Sequence, residues 1–210
     1  GGGDFVLLRT TMRRISRHLI LVLCDTNGGT LHFEMETIIR DVQAYFTENK
    51  TEIPAEQPVK FGIHTHNDSG LAVANSITAV QAGAIMVHGT INGYGERCGN
   101  ANLTSLIPTL LLKEPFASRF ETGVTPEALK GLRKASRLLD DILNRVPAKQ
   151  AAYVGASAFA HKSGLHASAI AKDPSTYEHV DPAAVGNTRI VPMSNQAGQS
   201  NLKARLAEAG

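Results

Sequence analysis

One pattern recurs three times in this chain and limits what it can fold into: a short apolar run, a cluster of Gly and polar residues, then apolar residues at helical spacing. Leu19–Cys24 (LILVLC) ends at Asp25-Thr26-Asn27-Gly28-Gly29 and is followed by Met35, Ile38, Ile39, Val42 and Phe46. Val59–Ile63 ends at His64, and Leu71, Ile77 and Val80 follow, with Ser69 placed to cap the helix and Gly83 to end it. Ala84–Ile91 (AIMVHGTI) ends at NGYGERCGN, and Leu103, Leu106, Ile107, Leu110 and Leu111 follow. Pro108 lies inside this last stripe and predicts a kink or an early break. Thr30 is placed to cap the first helix. A continuous apolar run such as LILVLC predicts a strand buried on both faces. Strand–turn–helix units in series predict an α/β fold on a parallel sheet.

All three polar clusters come just after strands, the edge where α/β barrels and open sheets collect their chemistry. Three units do not close an eight-stranded barrel, so the pattern allows a small open sheet or part of a barrel. After Lys113 the character changes. Thr125-Pro126-Glu127 is a strong helix start. Leu129, Leu132, Leu138, Leu139, Ile142 and Leu143 form an apolar stripe up to Pro147, and residues 148–176 are rich in Ala, Ser and His. A polar loop and a short helix near 201–209 follow. Residues 114–210 thus read as a helical appendage. Residues 1–18, with three leading glycines and no initial Met, read as an atypical, artefactual lead.

Net charge is +2, from 21 basic and 19 acidic residues, which is no footprint for nucleic acid or an anionic membrane. No apolar run approaches the ~18 residues of a spanning helix. Two cysteines are too few for a disulfide framework, so a cytoplasmic, reducing setting is expected.

His64 and His66 flank Thr65 at a strand end. Alternate residues of a strand share a face, so both imidazoles can enter one site as metal ligands, or they are simply polar turn residues. Asn67 and Asp68 follow, and such groups can orient a ligating imidazole. The glycines of NGYGERCGN permit either a tight turn or close approach to a ligand. Within it, an Asn100 oxygen could stand beside two imidazoles, a mixed nitrogen and oxygen set that suits Mg, Mn or Zn. Asp25-Thr26 is either a capping turn or part of the same site. His161, His166 and Tyr177 lie amid small side chains, a hint of acid/base work. Cys98 reads as a buried structural thiol rather than a nucleophile.

CDTNGG, HTHNDSGLAVANS, GTINGYGERCGNANL and GASAFAHKSGLH, in this order, closely resemble the 2-isopropylmalate, homocitrate and citramalate synthase family over about residues 19–210. CDTNGG and YEHVDP most resemble its citramalate branch. The resemblance implies a TIM (β/α)8 barrel, of which residues 19–113 would be the C-terminal three βα units, with helical linker subdomains over 114–210. It implies an acyltransferase of branched-chain amino-acid biosynthesis that condenses acetyl-CoA with a 2-oxo acid, pyruvate giving citramalate, and hydrolyses the thioester. His64, His66 and Asn100 match the family's metal ligands, Thr26 the threonine that binds the 2-oxo acid carboxylate, and His166 and Tyr177 its catalytic pair. Glu96 and Arg97 would stand behind the metal or on the CoA side. A homodimer is implied.

The Arg-Asp pair of the family's first strand and the Glu of a later strand have no counterpart here. The chain is therefore expected to start near barrel strand 6, as a truncated or frameshifted form with little activity alone. The alternatives are a 2-isopropylmalate synthase, a non-catalytic remnant that associates with a complementary half-barrel, and a hydroxymethylglutaryl-CoA-type lyase, against which the GLHASAI segment argues.

Overall fold

The computed structural model describes residues 14–15, 18–48, 59–161 and 164–191. Most of the expected 1–18 lead and the helix near 201–209 lie outside them, but Arg14–Ile15 and His18, within that lead, are strand residues. The chain forms two compact units, Gly1–Leu106 and Ile107–Gly210.

The first unit is built on a four-stranded sheet in the order β1 (Arg14–Ile15), β2 (His18–Asp25), β3 (Val59–Thr65), β4 (Met86–His88). β1 pairs antiparallel with β2; β2–β3 and β3–β4 are parallel. α1 (His32–Glu48) and α2 (Ala72–Gln81) supply the crossovers. Leu21, Leu23, Phe61 and Ile63 share one sheet face and pack with Met35 and Ile39 of α1 and Ala79 of α2, backed by Val42 and Phe46. The helical stripe read from the sequence is therefore the one that meets the sheet.

The opposite face departs from expectation. LILVLC predicts burial on both faces, yet Val22 is half-buried and Cys24 and His88 are exposed. Both helices lie on the Leu21/Leu23 side. β4 is also shorter than its apolar run: the chain turns into a 3-10 turn at Ile91–Gly93, with Asn92 at φ 60.

The helix starts differ from the expected caps. Ser69 does not cap α2; the Ala72 N–H donates to Asn67 Oδ1 instead, and the Ser69 hydroxyl donates to the Gly28 carbonyl. Thr30 is spent on Asp25, and Glu34 Oε2 takes the Leu31 N–H ahead of α1. Gly83, at φ +107, ends α2 as expected.

α3 (Leu103–Leu112) runs on through the buried Pro108 without the expected break. In the second unit α4 (Phe116–Arg119), α5 (Pro126–Leu129), α6 (Leu132–Ile142) and α7 (Gly164–Lys172) follow. Thr125 caps α5 through the Ala128 N–H. The unit's core gathers Leu129, Leu132, Tyr153, Val154, Phe159 and Val185. The stripe through α6 is only partly used: Leu138 and Ile142 remain 56% and 71% exposed. α6 packs instead on the face carrying Leu132, Ser136 and Asp140, about a quarter-turn from its apolar side.

Candidate functional site

The ends of β2, β3 and β4 carry the polar loops, and backbone and side chains knit those loops together. The Asp25 carbonyl accepts from the His66 N–H at 3.3 Å, and the Gly99 carbonyl from the Asn67 N–H at 2.9 Å. His66 and Asn100 form an antiparallel bridge. This backbone pairing brings the third loop against the histidine-bearing end of β3.

At that point three expected residues meet. The Nε2 atoms of His64 and His66 are 3.4 Å apart, and Asn100 Nδ2 is 3.3 Å from His64 Nε2. Two nitrogens held at ~2.1 Å by one tetrahedral ion lie about 3.4 Å apart, so the pair has the spacing of two ligands to one metal. A half-turn of the Asn100 amide presents its oxygen in place of its nitrogen. Burial first, then the rings of His66 and His88, push the His64 pKa below the ordinary histidine value. That leaves a neutral imidazole with its lone pair available. His66 Nδ1 is buried with no partner. These residues fit a divalent ion as two nitrogens and an amide oxygen. Among the described residues, no group of three His, Cys, Asp or Glu side chains forms a metal cluster.

The glycines shape this pocket. A Cβ on Gly95 would lie 1.9 Å from Asn100 Oδ1, so only glycine lets the amide sit where it does. A Cβ on Gly28, itself at φ +66, would meet Asp68 Oδ2 at 2.5 Å. The first and second loops pass too closely there for any side chain.

Asp68 does not serve the histidines as the sequence reading allowed. Arg97 takes it in a two-pronged pair at 2.8 and 3.0 Å, and donates to the Thr26 carbonyl at 2.8 Å. Arg97 adopts φ 54, a strained choice for a residue with a Cβ, which its three bonds offset. Thr26 is thereby placed on the same edge, exposed. Glu96 is exposed too. Asp25 is buried, accepting from Thr30 at 2.9 Å, and the fully buried Asn75 ties α2 to the Thr30 carbonyl at 2.8 Å. Cys98 is exposed, not the buried thiol expected, because it sits on the outer turn of the Gly-rich loop.

Three residues escaped the sequence reading: His88, Cys24 and Asn75. His88 pairs in register with His64, and their rings stand 5.8 Å apart. Cys24 flanks His64 from the other side, so a Cys24–His64–His88 row crosses the sheet. The signal was available: strand residues in matching positions before each polar cluster. Asn75 left no such signal, since a polar residue on a helix's inward face looks like a surface one.

In the second unit the His166 and Tyr177 rings pack at 4.1 Å between centroids and 31° between planes. His161 instead faces the buried Glu178, with Nε2 3.2 Å from Oε1.

The HMGL-like family model matches residues 11–137, more than half of the sequence. This chain belongs to the HMGL-like family. A second model, homocitrate synthase post-HMGL domain-like, matches residues 153–210 of this HMGL-like protein. Its sequence is 50% identical over 182 residues to an (R)-citramalate synthase of Synechocystis, covering 87% of this chain and 32% of that one. It is 49% identical over 188 residues to an (R)-citramalate synthase of Geobacter sulfurreducens (90% and 33% covered). A 2-isopropylmalate synthase of Bacillus anthracis is 37% identical over 168 residues (80% and 32% covered). The chain thus spans about a third of the length of these relatives. No helix among the described residues is long and apolar enough to cross a membrane.

Proposed function

We propose that this HMGL-like chain carries the metal-binding and proton-transfer segments of an acyltransferase that condenses acetyl-CoA with a 2-oxo acid, pyruvate giving citramalate. The supporting observation is the convergence of His64, His66 and Asn100 at the C-terminal edge of parallel strands, in a sequence about half identical to citramalate synthases. The strands β2 to β4 are read as the last three of a TIM barrel, with the second unit as its helical linker region.

His64, His66 and Asn100 would hold a divalent Mg, Mn or Zn ion, which supplies Lewis-acid polarisation of the ketone. Thr26, on the same edge, hydrogen-bonds the 2-oxo acid carboxylate. His166, its ring held against Tyr177, moves a proton in the condensation. Loss of a methyl proton from acetyl-CoA generates the carbon nucleophile that attacks the ketone. Water then cleaves the thioester to release CoA. The His64 ring, kept neutral by burial, is ready to ligate without first losing a proton. The working form is a homodimer in the cytoplasm, in branched-chain amino-acid biosynthesis. Its two cysteines are free, consistent with a reducing setting.

Replacing the matched segment of the Synechocystis citramalate synthase with this sequence tests the reading. The chimera is expected to release CoA from acetyl-CoA with pyruvate, and to lose that release with His64→Ala or with His166→Ala. A folded chimera that turns over 2-oxoisovalerate but not pyruvate would shift the reading to a 2-isopropylmalate synthase. One inert with both would overturn it.

A further inference from the structure

Tyr177 is 43% exposed, and its ring lies against His166 at 4.1 Å between centroids. The backbone that carries this ring is tied down. Residues 173–178 form a turn fixed at both ends. At one end the Asp173 N–H donates to the Ala169 carbonyl of α7, the helix that carries His166, at 2.8 Å. Asp173 Oδ1 accepts from the Ser175 N–H and hydroxyl at 2.9 and 2.8 Å. Tyr177 and Glu178 both donate their N–H groups to the Pro174 carbonyl, at 3.2 and 3.0 Å.

The other end is the Glu178 side chain, 2% exposed. A buried carboxylate is costly unless it is paired and hydrogen-bonded. Arg189 grips it from both sides: Nε donates to Oε1 at 2.6 Å, and Nη2 donates to Oε2. His161 Nε2 closes on Oε1 at 3.2 Å. The parallel bridge between Ala160 and Ile190, with the His161 N–H donating to the Ile190 carbonyl at 2.9 Å, sets Arg189 and His161 around one carboxylate. Arg189 holds the carboxyl below the usual glutamate range, so it is ionised at neutral pH.

We infer that Glu178 is a positioning residue: clamped by Arg189 and His161, it fixes the turn that presents the Tyr177 ring to His166. The geometric coupling stands on the contacts above, and only its catalytic meaning rests on the proposed function. A planar fork on a carboxylate defines direction as well as distance. Loss of the clamp therefore frees the turn and lets the Tyr177 ring leave His166.

The experiment reads the His166 ring protons by NMR in the full 210-residue chain. Tyr177→Leu sets the reference in which the ring-current shift is absent. Glu178→Ala and Arg189→Gln are expected to move the His166 signals to that reference, while the Tyr153, Phe159 and Val185 signals report an intact core. Should Glu178→Ala unfold, Glu178→Gln and Arg189→Lys give the same readout with milder changes, each expected to lose part of the shift. Wild-type His166 signals in these folded variants would overturn the proposal. If the coupling is lost as expected but the citramalate-synthase chimera carrying Glu178→Gln keeps full turnover, the positioning stands and the catalytic role of the pair falls.

Discussion

Arg97 and Asp68, on loops that follow different strands, form a two-pronged ion pair at 2.8 and 3.0 Å, and the same guanidinium holds the Thr26 carbonyl. One side chain thus fastens the loops after β2, β3 and β4. The Arg97 hydrogen bond is the main cause that keeps the Asp68 carboxyl below the usual aspartate range. A depressed carboxylate contributes stability above its unfolded pKa and loses it as pH falls through its folded one. The loops should therefore open first on acidification, below the ordinary aspartate range of about 3.9. Arg97→Gln should open them at neutral pH. Arg97→Lys should behave more like Gln than like Arg, since an ammonium cannot span Asp68 and the Thr26 carbonyl in the same planar fork. Amide exchange at Gly28, Asn67 and Ser69 reports it. Unchanged protection in Arg97→Gln would show that the backbone bonds alone hold the edge.

The His64–His66 separation leads to a metal prediction. Titration with Mn²⁺ or Co²⁺ should show one site. His64→Ala or His66→Ala should weaken binding by more than the ~10–100-fold typical of losing an outer hydrogen-bond partner. Asn100→Ala should weaken it less, as a neutral oxygen ligand contributes less than an imidazole. Calorimetry checks the ranking. Binding that ignores all three changes would place the ion elsewhere.

Gly95 stands against the Asn100 amide, and the effect of a methyl there is calculable from the geometry. With Oδ1 at 1.9 Å from an added Cβ, Gly95→Ala must displace the amide or the loop, at a cost of about 1–3 kcal/mol by analogy with overpacked cores. Gly123→Ala is the control: nothing lies within 4 Å of its Cβ and its φ is not positive. That change should be neutral or stabilise by about 0.4–1 kcal/mol through the unfolded chain. Urea denaturation of the two variants should separate them, and equal midpoints would mean that the loop yields freely.

Much of the first unit was legible because its signals are local. LILVLC, the Met35–Ile39–Phe46 stripe and Gly83 each state their structure within one element. His64, His66 and Asn100 could be grouped because strand alternation and the position of each polar cluster put them on one edge. What stayed hidden depends on partners distant in sequence. Ser69 and Thr30 have the right chemistry to cap helices, but Gly28 and Asp25 take their hydroxyls across the loops. Leu138 and Ile142 carry the right periodicity, yet α6 rolls onto Ser136 and Asp140. Asp68 sits one residue after Asn67, and only the fold shows that Arg97 claims it.

Glu178 gives the second unit its own pH signature. Its carboxyl is held low, chiefly by the Arg189 hydrogen bond and against the opposing effect of burial. The sign is that of a depressed acid: the contribution is present above the unfolded glutamate pKa of about 4.3 and disappears as pH falls through the lower folded value. Unfolding of the Tyr153–Phe159–Val185 core should therefore become easier on acidification below that range. Glu178→Gln should destabilise the unit at neutral pH and flatten the acid dependence. Arg189 is 38% exposed, so water partly rescues it when its partner is neutralised. The cost should accordingly stay near the ~1–3 kcal/mol of an unsatisfied buried polar group rather than the ~3–5 kcal/mol of breaking a fully buried ion pair. Urea midpoints of wild type and Glu178→Gln across the acid range check both statements. Parallel curves would show that other carboxylates, not Glu178, set the acid limit.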